Sequence, residues 1–399
     1  MTGLAIFHRD HEAYLAAVAA AWGAEEPVFL GNPQWGPAEM AEAMQLIPQG
    51  TTVVGRALTP TGPAPADWPF GWRGRTMIPT GGTGGRVKFV VHDPASLAAA
   101  VRGLRDFLGA RGLAPTLHGA TLTPPWHVSG LMPFVRAALT GGRHVTLDGR
   151  FPGEGPLPAV GLPTDGTRLA SLVPAQLMSL LARRDGEAWL RRFKVVLLGG
   201  SAVPPACLRA IRDRRLPVYL TYGMTETAAV CALCPPERLW KNQPPRGTPL
   251  PGVRFGLAED RLTIATPALA RGVWPADWFP AEGLRTQDRA ELAADGTVRI
   301  LGRADRVIVT GGEKVDPARV ETALATIAMV QVLGLPDPRW GERVVALVAG
   351  DASLEPALRE AAERLEPAAR PKAYAFVAAF PTDDRGKFDR AAARAAFGA

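Results

Sequence analysis

Between residues 194 and 227 the chain reads strand, turn, helix, strand, and few architectures accommodate that order. "KVVLLGG" (194–200) is an apolar run closing on glycines, and "VPPACLRAIRDRR" (203–215) is a helix opened by prolines. "PVYLTYGMTET" (217–227) is a second strand that runs into a polar turn. Two strands joined through a helix lie parallel with a right-handed crossover, because the connection must return to the starting end of the sheet. The expected class is α/β, with parallel-rich sheets flanked by helices. Ligands in such sheets bind beyond the carboxyl ends of the strands. "GGS" (199–201) and "TYGMTE" (221–226) both lie there.

After about residue 260 the texture changes. "RLTIATP" (261–267) and "TVRILGRADRVIVTGG" (297–312) read as strands of a turn-rich, more antiparallel region. From Asp316 the order becomes helix, two strands, helix, strand. Asp316 is placed as an N-cap with Pro317 at the first helical position, and Val320, Leu324 and Ile327 share one face. "VQVLGLPD" (330–337), "RVVALVAG" (343–350) and "AYAFVAAF" (373–380) are the strands, and Leu358, Ala362 and Leu365 mark the second helix. This stretch is expected to form a small α+β domain of its own. The boundary falls in Gly302–Arg306, giving a large domain over 1–303 and a small one over 304–399. Residues 59–71 form a Pro/Gly-rich connector.

Composition narrows the function. The net charge of +7 comes from 45 basic and 38 acidic residues spread without a block, so nucleic-acid binding is not indicated. No basic stretch followed by an apolar run opens the chain, and no apolar run spans a bilayer. A cytoplasmic protein without membrane insertion is expected; whether it forms a homo-oligomer is left open. Three cysteines make no disulfide framework, and "CALC" (231–234) lacks the second pair that zinc requires, so buried thiols are expected. Only six of the 45 basic residues are lysines, which leaves 39 arginines. In such a chain a lysine suggests a position where a compact ammonium is needed. Lys88, Lys314 and Lys387 all lie beside glycines.

Lys88 belongs to "IPTGGTGGRVKF" (78–89), four glycines and two threonines directly after a proline. Backbone this free of side chains lets N–H groups curl around an anion, and a lysine at its edge suggests a phosphate. It is not a Walker A loop, because Lys88 precedes Phe89 rather than Ser or Thr. It is not a dinucleotide fingerprint either, because the sixth place from Gly82 is Val87.

Five motifs in order resemble the adenylate-forming enzymes, the superfamily of acyl-CoA synthetases, peptide-synthetase adenylation domains and luciferases. "TGGTGGRVK" resembles the phosphate loop T-S-G-S-T-G-x-P-K, and "TYGMTET" resembles Y-G-x-T-E. "LRTQDRAELAADGTVRILGRADRVI" resembles the aspartate and G-R-x-D block. "GGEKVDPARVE" resembles the G-x-x-x-x-P-x-x-(I/V)-E block, and "DRGKFDR" the carboxyl-terminal G-K lysine. Within the superfamily the likeness is nearest to the o-succinylbenzoate–CoA ligases of menaquinone and phylloquinone synthesis. It rests on "PPWHVSGLM" (124–132), "SLVPAQLMSLL" (171–181), "KVVLLGGSAVP" (194–204) and "RGTPLPGV" (246–253). Two departures stand out. Only 79 residues precede the loop, fewer than the family usually has, and Gly84 removes one loop hydroxyl.

The resemblance implies an ATP-dependent ligase. A carboxylic acid attacks the α-phosphorus of ATP, and the thiol of coenzyme A then displaces AMP. It implies phosphate contacts from Thr80, Gly81, Gly82, Thr83, Gly84, Gly85 and Lys88, and nucleotide contacts from Gly200, Ser201, Tyr222, Gly223, Met224 and Thr225. Glu226 would hold Mg²⁺, Asp288 with Arg303 would hold the ribose, and Lys314 would lie near the coenzyme A phosphates. Lys387 would be the catalytic cation of adenylation, carried on residues 304–399 as a small mobile α+β lid domain with Asp305 as the hinge. His127, beside Trp126 and Ser129–Gly130, would shape and gate the acyl pocket, with Gln176 nearby. Two alternatives remain: a ligase for another aromatic or aliphatic acid, and a non-catalytic nucleotide-binding homologue.

Overall fold

The computed structural model describes residues 3–63, 71–81, 87–147, 155–275, 277–280, 282–383 and 388–398. The chain divides into two compact units. The first comprises Met1–Gly200, Arg215–Phe255 and Ile264–Leu284; the second comprises Ser201–Arg214, Gly256–Thr263 and Arg285–Ala399.

The first unit holds two seven-stranded sheets. In one, Leu4–Ile6, Val28–Leu30, Thr52–Val54 and Thr76–Gly81 run parallel. Ala5, Ile6, Phe29 and Leu30 are all fully buried. Such unbroken apolar runs suit strands covered on both faces. Val87–His92 folds back antiparallel on Thr76–Gly81, and Thr80 lies opposite Lys88. Residues 82–86, Gly-Thr-Gly-Gly-Arg, connect these two strands and lie outside the described residues.

The other sheet justifies the α/β expectation. His144–Thr146, Leu117–Thr121, Thr167–Leu172, Val195–Leu198 and Val218–Tyr222 are parallel neighbours, extended by antiparallel Ala232–Cys234 and Thr248–Pro249. Val218 pairs with Val196 and Leu220 with Leu198, so the two strands anticipated from "KVVLLGG" and "PVYLTYG" are adjacent. The Val128–Thr140 helix ends at Gly141 in the left-handed region (φ 70°), where glycine carries no steric penalty. It approaches Leu117–Thr121 so closely that a Cβ on Gly119 would meet the Pro133 carbonyl at 3.0 Å. Asp93 caps the Pro94–Gly109 helix by accepting from the Ser96 N–H at 2.7 Å.

In the second unit Asp288–Leu292 pairs antiparallel with Val298–Arg303. A five-stranded sheet contains Glu313–Val315, Ile308–Thr310, Gly341–Ala349, Met329–Asp337 and Ala373–Val377. Gly341–Ala349 alternates cleanly, as a strand buried on both faces must. Val344, Ala346 and Val348 join the core with Val320, Leu324 and Leu358, and Val345 and Leu347 join the core with Ala393 and Phe388. Asp316 caps the Pro317–Leu324 helix, accepting from Ala318 N–H at 3.0 Å. The helix at Glu355–Ala362 stops short of Leu365, whose N–H bonds back to the Ala362 carbonyl.

The three cysteines are buried thiols that form no disulfide. Burial pushes the Cys207 thiol up to about 12 and raises that of Cys234 as well. Among the described residues no group of three or more His, Cys, Asp or Glu side chains could hold a metal ion, and no helix is long and apolar enough to cross a membrane.

Candidate active site

In the first unit two conspicuous features are the hairpin that carries the glycine loop and the turn after Val218–Tyr222. On the hairpin, Phe89 packs edge-on against Phe29 at 5.1 Å, and the Val87 N–H donates to Glu42 Oε2 at 2.9 Å. Thr80 is half-buried and Lys88 exposed, so the ammonium is available to an anion. Gly81 ends its strand; Gly82, Thr83, Gly84 and Gly85 lie outside the described residues.

The turn is tied at every step. The Met224 N–H donates to Thr227 Oγ1, and the Thr227 and Ala229 N–H groups return to the Met224 carbonyl. Thr225–Thr227 form a 3₁₀ turn, and the chain leaves it through Ala228 (φ 51°) and Ala229 (φ 80°), two non-glycine residues in the left-handed region. Backbone of this kind persists only where its surroundings enforce it. Gly223 has no alternative residue, because a Cβ there would stand 1.9 Å from the Ala229 carbonyl. The ring of Tyr222 lies 6.3 Å from that of Phe255. At the end of the neighbouring strand a Cβ on Gly199 would collide with Thr221 Oγ1, and Gly200 takes φ 82°. The strand ends are therefore bare of side chains, and Thr225 and Glu226, both half-buried, project from a rigid turn.

His127 directly precedes the Val128–Thr140 helix and is half-buried, its ring 6.2 Å from that of Trp126. Trp126 is fully buried against His11 and Tyr14, so it supports this corner from within the core. Gly130 is forced by packing, since a Cβ would lie 2.0 Å from the Pro124 carbonyl. Gln176 is half-buried and tied to the backbone. Its Oε1 accepts from the Val173 N–H at 3.0 Å and its Nε2 donates to the Leu122 carbonyl at 3.1 Å, so both ends of the amide serve the backbone.

In the second unit Asp288 is buried and lies opposite Arg303 in strand register, with Arg303 Nη1 3.7 Å from Asp288 Oδ1. Arg303 also forks onto Asp305 with hydrogen bonds of 2.8 and 2.6 Å. That hydrogen bond, and then the charges of Arg303 and Arg390, hold the Asp305 carboxyl below its usual range against the effect of burial. One guanidinium thus joins the anticipated ribose ligand to the anticipated hinge. Gly311 (φ 59°) and Gly312 (φ 86°) close the hairpin between Ile308–Thr310 and Glu313–Val315, on which Lys314 is exposed. Ser201 is exposed. Lys387 lies outside the described residues; on either side of residues 384–387, Thr382 and Phe388 form an antiparallel bridge.

The family of AMP-binding enzymes matches residues 55–274, over half of the chain, and its C-terminal domain matches 320–387. The chain belongs to the AMP-binding enzymes. A probable 2-succinylbenzoate–CoA ligase of Mycobacterium tuberculosis is 34% identical over 334 residues, covering 79% of this chain and 82% of the relative. The o-succinylbenzoate CoA synthetase of Bacillus subtilis, solved with its acyl-adenylate intermediate, superposes with a TM-score of 0.73 at 21% identity, over 97% of this chain and 87% of that one. ATP-bound MatB from Rhodopseudomonas palustris gives 0.79 at 20% identity, over 100% and 89%. The two structural likenesses carry the fold.

The Bacillus subtilis synthetase has also been solved with ATP and a magnesium ion. Magnesium is usually held by one or two carboxylates plus phosphate oxygens, and Glu226 is a hard oxygen donor on a fixed turn. The donor set therefore fits an ion held chiefly by the nucleotide.

Two residues with no mark in the motifs belong beside those above. His92 ends the strand that leaves the glycine loop, and its Nε2 lies 2.8 Å from the Thr225 carbonyl oxygen. Arg136 is the single charged residue of the otherwise apolar Val128–Thr140 helix, seven residues after Ser129 and so on the same face. It is buried, its guanidinium has no hydrogen bond or ion pair among the described residues, and burial lowers its pKa to about 10. A charge in an apolar helix was the available signal for Arg136; a histidine before Asp-Pro carried almost none.

Proposed function

We propose that this chain is an ATP-dependent acid–thiol ligase that converts o-succinylbenzoate, ATP and coenzyme A into o-succinylbenzoyl-CoA, AMP and pyrophosphate. The observation that carries the choice of acid is Arg136. A buried guanidinium without a carboxylate is costly, and proteins normally pair it. o-Succinylbenzoate has two carboxylates, only one of which is activated. The second would supply the missing anion in a bidentate pair. The relatedness to ligases of this name supports the same acid.

The chemistry is mainly charge neutralisation and positioning, since both reactants of the first step are anionic. Thr80, Lys88 and the N–H groups of Gly81 to Gly85 hold the β- and γ-phosphates. Mg²⁺ at Glu226 would share their charge. Tyr222, Gly223 and Met224, with Gly200 and Ser201, border the base, Asp288 with Arg303 accepts the ribose, and Thr225 meets the α-phosphate. A carboxylate oxygen of the acid bonds to the α-phosphorus as pyrophosphate leaves, with the Lys387 ammonium bridging the two. Residues 304–399 act as the lid that brings Lys387 in and then withdraws it, turning at Asp305. The thiol sulfur then bonds to the acyl carbon and AMP leaves, with Lys314 near the coenzyme A phosphates and His127 gating the acyl side.

A panel of aromatic and aliphatic acids, assayed for AMP release with and without coenzyme A, tests this. Release with o-succinylbenzoate at the highest kcat/KM is expected. A higher value for a monocarboxylic acid would remove the argument from Arg136, and ATP binding without release for any acid would mark a non-catalytic homologue.

A further inference from the structure

Beneath the turn that carries Thr225 and Glu226 lies a histidine that the chemistry above does not use. His92 is fully buried, four residues beyond Lys88 along the strand that leaves the glycine loop. Its Nε2 is 2.8 Å from the Thr225 carbonyl oxygen. A carbonyl only accepts, so Nε2 carries the proton and Nδ1 the lone pair, with the Ser96 hydroxyl 3.0 Å away to donate to it. Burial first, then the nearby Arg271 charge, outweigh the Thr225 bond and Asp93 and bring the ring to about 4, so it is uncharged near neutrality.

The tie is part of a knot. The Glu226 carbonyl accepts from the Ala270 N–H at 2.8 Å, and the Arg271 N–H donates to the Val91 carbonyl at 2.8 Å. Arg271 Nε bonds Asp93 Oδ2 at 2.7 Å, and Arg75 Nη1 bonds the same oxygen at 2.9 Å. The consecutive carbonyls of Thr225 and Glu226 are therefore anchored to the end of the phosphate hairpin and to the segment beside it. A phenylalanine at 92 would fill the same space; only an N–H at the Nε2 position also holds the carbonyl.

We propose that His92 is a positioning residue for adenylate formation, its Nε2–H holding the Thr225 carbonyl so that the Thr225 hydroxyl and Glu226 carboxylate stay in register with the glycine loop. This rests on the ligase reading above. It extends that reading by linking the two phosphate-binding elements through one side chain.

The test compares full-length His92→Gln, His92→Asn and His92→Phe in acid-dependent ATP–pyrophosphate exchange, with thermal melts alongside. Glutamine can place an amide N–H near the former Nε2, whereas asparagine reaches only as far as Nδ1. Losing a buried hydrogen bond of this kind predicts kcat about ten- to a hundredfold lower in the Phe and Asn variants, at little-changed KM for the acid. Glutamine should stay within about threefold of wild type. Wild-type kcat in the Phe variant would overturn the proposal, as would a Gln variant as impaired as Phe. If the Phe variant does not fold, the Gln–Asn pair decides, and equal activities overturn it. A wild type that binds MgATP but exchanges with no acid contradicts the ligase reading alone. The Kd for MgATP then carries the test: weaker binding by Asn, restored by Gln, supports the proposal, and equal values overturn it. A wild type that binds no ATP overturns both.

Discussion

The guanidinium of buried Arg136 has no partner among the described residues, and two consequences of replacing it point in opposite directions. Methionine fits the volume of the stem without the desolvated charge. Arg136→Met should leave the melting temperature unchanged or raise it, because an unpaired buried ion contributes nothing favourable to the fold. The KM for o-succinylbenzoate should nevertheless rise by about tenfold or more, a loss of roughly 1.4 kcal/mol, with the KM for ATP unaltered. Steady-state kinetics beside a thermal melt check both. A destabilised variant with unchanged KM would show that the guanidinium serves packing alone. Asp288→Asn should instead raise the KM for ATP and spare the acid, since Arg303 keeps its two bonds to Asp305. At this scale the motifs were good guides to strand ends and turns but not to the side chains behind them. His92 acts through a carbonyl 133 residues away in the chain, and no local pattern encodes that distance. Gln176 bonds a backbone partner at each end of its amide, which no local pattern shows either.

The turn from Tyr222 to Ala229 shows how an element can be read in part. Its polar letters after an apolar strand mark a strand end. The pair of alanines in the left-handed region does not show, because alanine carries no preference for that conformation. Gly223 makes the element testable. Gly223→Ala would drive a methyl into the Ala229 carbonyl, and the turn would have to open. A loss of about 2–4 kcal/mol is expected from overpacking against backbone, with exchange activity abolished even where the protein remains folded. Near-normal activity would mean that the turn tolerates another shape. Gly130→Ala, facing the Pro124 carbonyl at 2.0 Å, should be comparably disruptive to the corner that carries His127. Strands that are buried on both faces, such as Val195–Leu198 and residues 344–348, are legible because that burial leaves an unbroken apolar run. The second helix of the smaller unit ends at Ala362, three residues before Leu365; Leu365 continues the apolar spacing where the bonding has tightened to three-residue turns.

For the whole molecule, buried titratable groups fix the response to acid. Burial holds His92 and His144 at about 4, against an ordinary 6.5. Unfolding lets them take up protons between those values, so their stabilising effect is complete above about 6.5 and declines as the pH falls towards 4. Each can cost up to about 3 kcal/mol. Asp93 behaves oppositely in origin. Burial would raise it, but the Arg271 bond, the Ser96 N–H and the charges of Arg271 and Arg75 bring it to about 2, from 3.8. Its contribution is complete above 3.8 and vanishes as the pH falls through 2. The melting temperature should therefore decline in two windows, and His92→Gln should flatten the upper one. A flat profile between 6.5 and 4 would contradict the burial of these rings.

The proposed division of labour between a gripping lobe and a lid delivering Lys387 is most directly tested by incorporation of labelled pyrophosphate into ATP, with and without o-succinylbenzoate. Incorporation should require the acid and disappear in Lys387→Ala, while coenzyme A transfer to supplied o-succinylbenzoyl-AMP persists. Acid-independent or absent incorporation in the wild type, or equal loss of both half-reactions in the variant, would contradict the account.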